Sequence, residues 1–98
     1  MELAVIGRDE FVQGFKLAGI RKTTVSEPEE LEAAVARILD DPAVGILILN
    51  TDDRVRLSHT MRRRLDTTPR PVVIAVGRRE EEDLRAKIKR AIGVDLLK

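Results

Sequence analysis

Three short segments of this chain are apolar at almost every consecutive position: Leu3-Ala4-Val5-Ile6, Val44-Gly45-Ile46-Leu47-Ile48-Leu49 and Val72-Val73-Ile74-Ala75-Val76. A strand with one wet face alternates apolar and polar residues, so the first two runs read as strands covered on both faces, the habit of parallel sheets, and the third as the last strand. Helical periodicities fill the gaps between them. Phe11, Phe15 and Ala18 recur at helical spacing, with Asp9 placed as a cap and Gly19 as a stop. Gly14 beside Phe15 lets this helix approach the sheet closely. Leu31, Ala34, Val35, Ile38 and Leu39 make one buried stripe that ends at Asp40-Asp41-Pro42, and Ser26-Glu27-Pro28-Glu29 ahead of it predicts a capping box. Thr23-Thr24-Val25 is brief and polar enough for an edge strand. Asn50 to Asp53 predicts the turn into a third helix carrying Leu57, Met61 and Leu65, and Gly77 the turn into a last one.

Four strand–helix pairs with right-handed crossovers give an α/β chain: a single small three-layer domain with a four-stranded parallel sheet of order 2-1-3-4 and helices on both faces. That order is a truncated flavodoxin-like or receiver-like sheet. With 98 residues there is room for one core, and since aromatics are only 2% of the chain, Leu, Ile, Val and Ala must fill it. The expected division is a sheet domain over 1–78 and a C-terminal helix over 79–98, either within that domain or projecting from it.

Charge removes several function classes. Eighteen basic residues against 17 acidic leave a net charge of +1, so no global field draws nucleic acid or a membrane surface. No apolar run approaches the ~20 residues of a membrane span. Arg54, Arg56, Arg62, Arg63 and Arg64 could form a basic patch, but no Tyr or Trp is present to stack on bases.

The loops after the strands are where a doubly wound sheet holds ligands. Asp9, Glu10, Asp52 and Asp53 there are similar to the acidic pocket of a receiver domain, yet Asn50 stands where the phospho-accepting aspartate belongs. A helix start places Asp and Asn in such positions for capping alone. Neither G-x-G-x-x-G nor a P-loop motif occurs, and His59 has no cysteine or second histidine with which to share a metal. The expectation is therefore no catalytic residue, cofactor or metal, with a receiver-like regulatory domain as the alternative reading.

The last helix, Glu80 to Gly93, is more informative. Glu80, Glu81, Glu82 and Asp83 begin it and Lys87, Lys89 and Arg90 end it, so both ends complement the helix dipole. Glu81 to Arg85 and Asp83 to Lys87 are i, i+4 pairs. Leu84, Ile88, Ala91 and Ile92 make its apolar stripe, continued by Val94, Leu96 and Leu97. Such a stripe docks on its own sheet or on another protein.

Ala4-Val5-Ile6-Gly7, then Gly14-Phe15-Lys16-Leu17-Ala18-Gly19-Ile20, and finally Ile88-Lys89-Arg90-Ala91-Ile92-Gly93-Val94-Asp95-Leu96 resemble the F subunits of archaeal and vacuolar-type ATP synthases. Arg8, in place of the acidic residue common after the first glycine, and the basic stretch Arg54 to Arg64 depart from that pattern. The resemblance implies a non-catalytic rotor component of the central stalk that binds the coiled-coil shaft, the D subunit, and helps couple ATP turnover to translocation of protons or sodium. It implies partner-binding roles for Leu84, Arg85, Ile88, Ala91, Ile92 and Leu96. Further partners would be the membrane-ring adaptor and the catalytic headpiece subunits. The location implied is peripheral, on the cytoplasmic side of the cell membrane, with no insertion into it.

Overall fold

A computed structural model describes residues 1–97, with side chains described through Ile92. The elements follow in the order β1 (Glu2–Gly7), α1 (Asp9–Leu17), β2 (Lys22–Val25), a 3-10 turn (Pro28–Glu30), α2 (Leu31–Leu39), β3 (Val44–Asn50), α3 (Thr51–Arg56), α4 (His59–Thr67), β4 (Val72–Val76) and α5 (Arg78–Leu97). The sheet is parallel throughout and its order is β2-β1-β3-β4. This is the expected 2-1-3-4 arrangement.

Each central strand sends alternate side chains to opposite faces. Ala4 and Ile6 of β1, with Leu47 and Leu49 of β3, meet Leu31, Val35 and Ile38 of α2, Met61 and Leu65 of α4, and Leu57 between α3 and α4. Val5 and Ile48 point the other way, into Phe11, Val12 and Phe15 of α1 and Ile88 of α5. Two apolar layers thus flank one sheet, and Phe15 is completely buried with its ring centroid 5.1 Å from that of Phe11.

Four local expectations give way to the surroundings. The capping box does not form: the backbone N–H of Ser26 donates to Gly7 O at 2.8 Å, which ties Ser26 to the sheet, and its hydroxyl donates to Glu27 O at 3.1 Å. A 3-10 turn, with proline in its first turn, then carries the chain into α2 at Leu31. The third helix is two helices, because Leu57 turns into the core at 4% exposure and Ser58 takes an extended backbone. From there the Ser58 hydroxyl accepts the Met61 N–H at 3.1 Å, while the Ser58 N–H donates to Glu32 Oε1 at 2.8 Å. Asp9 is the first residue of α1 rather than its cap, a position held by Arg8 without a side-chain bond. Finally, α5 starts at Arg78 and passes Gly93 to reach Leu97, so Lys87, Lys89 and Arg90 sit in its middle and not in its last turn.

Candidate functional site

The strand order reverses between β1 and β3, so the loops leaving these strands diverge and open a crevice at their carboxyl ends. A cavity of about 780 Å³ lies there. Gly7 lets its walls close: a Cβ at this position would stand 2.9 Å from Phe11 Cδ2 and 3.4 Å from Asp53 Oδ2. Of the four acidic residues singled out from the loops, Glu10, Asp52 and Asp53 line the cavity, whereas Asp9 turns to Gln13, whose amide donates to it at 3.4 Å. Asn50 does capping work, its Oδ1 accepting the Asp52 N–H at 2.8 Å.

Asp53 differs from its neighbours in being 7% exposed. Burial raises its pKa above the usual carboxylate value, against the pull of Arg56 and Arg8, and Asp52 adds to the rise. Neither arginine forms an ion pair with it among the described residues. The sequence places Asp53 in the acidic loop set without distinguishing it from Asp52, because the two are chemically alike and only the phase of α3 relative to β3 sends the second one inward. Among the described residues no three His, Cys, Asp or Glu side chains converge to hold a metal by themselves.

The other candidate surface is α5. Twenty residues at ~1.5 Å each make it about 30 Å long. Ile88 is buried at 8% exposure, and Leu84 and Ile92, one turn to either side, are half-buried against the same apolar layer. Arg85 is half-buried, with its guanidinium over Gly14: a Cβ there would meet Arg85 Nη1 at 2.5 Å. Its Nε is buried without a hydrogen bond, and Glu81 Oε1 stands 4.0 Å away. Ile92 sits on Gly19, where a Cβ would come within 2.8 Å of Ile92 Cδ1. The two glycines of the Gly14-to-Gly19 motif are therefore seats for α5. Close approach of α1 to the sheet, the task expected of Gly14, is not what its missing side chain serves. Ala91 faces solvent. Leu96 lies outside the residues whose side chains are described.

The arginine-rich region is partly engaged within the domain. Arg54 pairs with Asp66 at 2.7 Å, Arg64 with Asp40 at 2.8 Å, and Arg70 donates to Pro42 O at 2.5 Å. His59 is exposed in the first turn of α4. No helix of the described residues is long and apolar enough to cross a membrane.

Residues 3–92 match the family model described as ATP synthase (F/14-kDa) subunit. The A-type ATP synthase F subunit of Methanocella arvoryzae is 46% identical over 99 residues, covering all of both chains. That of Methanosarcina acetivorans is 48% identical over 101 residues, again covering all of both. Among solved structures, the V-type ATP synthase F subunit of Archaeoglobus fulgidus superposes with a TM-score of 0.71 at 35% identity, over 78% of this chain and 96% of that one. The chain belongs to the family of ATP synthase (F/14-kDa) subunits, whose members here are the F subunits of archaeal A-type and V-type ATP synthases.

Proposed function

We propose that this chain is a non-catalytic component of the rotating central stalk, gripping the coiled-coil shaft formed by the D subunit and helping couple ATP turnover to proton or sodium translocation. The observation that carries this reading is α5, a helix of about six turns whose middle is braced on the sheet by one buried side chain and two half-buried ones. Its remaining surface, with Arg79, Glu82, Asp83, Ala86, Lys87, Lys89, Arg90 and Ala91 exposed, mixes small residues with both signs of charge. A surface of that kind supports a broad contact in which small and apolar residues set the fit and rim charges the register.

In this arrangement residues 1–78 form the supporting sheet domain and residues 79–98 the coupling element. Ala91 and Leu96 meet the shaft directly, Arg85 flanks the contact, and Leu84, Ile88 and Ile92 keep the helix rigid behind it. The headpiece and the membrane-ring adaptor are further neighbours. The complex holds the chain peripherally on the cytoplasmic face of the membrane.

Binding to the purified shaft protein tests this. Deleting residues 93–98, or placing a charge at the exposed position by Ala91→Glu, removes no described residue of the two apolar layers and should weaken the affinity by roughly tenfold or more. Full affinity in both variants would remove α5 from the shaft contact.

A further inference from the structure

Asp53 is a buried charge that neither packing nor capping explains. Asn50 already caps α3, so an asparagine or an alanine at position 53 would serve the helix equally well. The residue is 7% exposed, yet no ion pair or hydrogen bond to its carboxylate forms among the described residues, and its oxygens stay within reach of the cavity. The carboxylate closes over the end of β1 beside Gly7 and Phe11 and looks into the 780 Å³ cavity.

The cavity is divided by depth, and its rim carries both signs, with Glu10, Asp52 and Glu80 exposed beside the arginines. Asp53 lies deep, while Arg8, Arg56 and Arg78, all exposed, reach its rim from the segments that follow β1, β3 and β4. The lining as a whole is acidic, with five carboxylates against these three guanidinium groups. A bare phosphate is repelled by that excess, and a bare cation must pass the arginines. A ligand carrying both signs suits both layers. Among the described residues no three side chains converge to hold a metal by themselves, so a divalent ion must bring oxygen ligands of its own. Magnesium does so habitually, binding through one or two carboxylates together with phosphate oxygens and water. Guanidinium groups in turn match phosphoryl oxygens.

We propose that the crevice between β1 and β3 binds a magnesium-bound phosphate group, with Asp53 serving the ion and Arg8, Arg56 and Arg78 the phosphoryl oxygens. The phosphate belongs either to free phosphate or to a nucleoside diphosphate. This is reversible binding and involves no transfer to the chain. It is independent of the shaft contact, because the crevice takes Arg78, Glu80 and Glu81 from α5 and none of these is assigned to that contact.

Amide NMR titration of the full chain tests the proposal with magnesium chloride alone, sodium phosphate alone, the two together, and magnesium with ADP. Saturable shifts at Gly7, Asp53 and Gly77 are expected only where magnesium and a phosphate are both present. Tighter binding of magnesium-ADP assigns the phosphate to a nucleotide, and equal binding assigns it to free phosphate. Asp53→Asn and Arg78→Ala should each weaken binding by roughly tenfold. Asp53→Asn removes an uncompensated charge and should melt at or above the parent temperature, so its loss of binding is not a loss of fold. No saturable shift with either pair, equal shifts without magnesium, or unaltered binding by Asp53→Asn overturns the proposal.

Discussion

Ile88→Ala is the sharpest probe of how α5 is held. Ile88 is the one side chain of the helix that is buried among the described residues, at 8% exposure, and it enters a layer made by Val5, Phe11, Phe15, Ile48 and Val76. Truncation removes three carbons, and at ~0.8 kcal/mol each this comes to about 2.4 kcal/mol. Alanine is the better helix former, which returns roughly 0.4 kcal/mol. The site is at the edge of the core and can partly collapse, so the expected net loss is about 2 kcal/mol, the low end for such truncations. Urea unfolding followed by circular dichroism should show that loss, or a melting temperature lower by roughly 8–15 °C in a chain of this size. Hydrogen exchange separates two routes to it: if α5 opens before the sheet, its amides lose protection first while those of β1 and β3 keep theirs. A loss below about 0.5 kcal/mol with unchanged exchange along α5 would refute the docking of Ile88 in this layer, since that is the range of ordinary surface substitutions.

The two glycine seats should answer differently. Gly14→Ala meets only the flexible end of Arg85 and lies within a helix, so stability should hold or rise by up to ~1 kcal/mol. Gly19→Ala is forced at φ +113° and against Ile92, and should cost about 1–2 kcal/mol, measurable by urea denaturation. Ser58→Ala removes the cap of α4 and should cost about 1 kcal/mol in the same assay. Asp53 has a folded pKa raised above the ordinary aspartate value of 3.8, so the folded state holds this proton more tightly than the unfolded one. Its contribution is therefore fully present below that value and lost as pH rises through the folded pKa. Asp53→Asn should be the more stable chain near neutral pH, with the advantage shrinking as pH falls through the raised folded pKa and levelling off below the ordinary aspartate value. An advantage that does not change with pH would refute the assignment to this carboxyl.

Much of the architecture is legible in the sequence. The apolar runs Leu3–Ile6 and Val44–Leu49 are local facts, and a strand with no polar face can only sit inside a covered sheet. The crossover rule then leaves few ways to order four such strands, and 2-1-3-4 is one of them. The stripe on α2 is equally clear, since Leu31, Ala34, Val35, Ile38 and Leu39 are all buried. The Gly14-to-Gly19 motif likewise points to the family, although not to its structural job.

What tertiary structure decided was in each case a matter of partners. Periodicity states that a face will be buried but not against what, which is why Leu84, Ile88 and Ile92 read equally well as a docking stripe for another protein and as the inner face of α5. The break at Leu57–Ser58 follows from a core position and from Glu32, 26 residues away, and the missing capping box follows from a sheet hydrogen bond to Gly7. Asp52 and Asp53 are indistinguishable as letters. Both line the same cavity, but the end of β3 and the bare backbone of Gly7 together leave one carboxylate exposed and bury the other. Element type and order depend on neighbours along the chain and are written there. Burial of a particular side chain depends on residues brought from elsewhere, and only the folded structure supplies them.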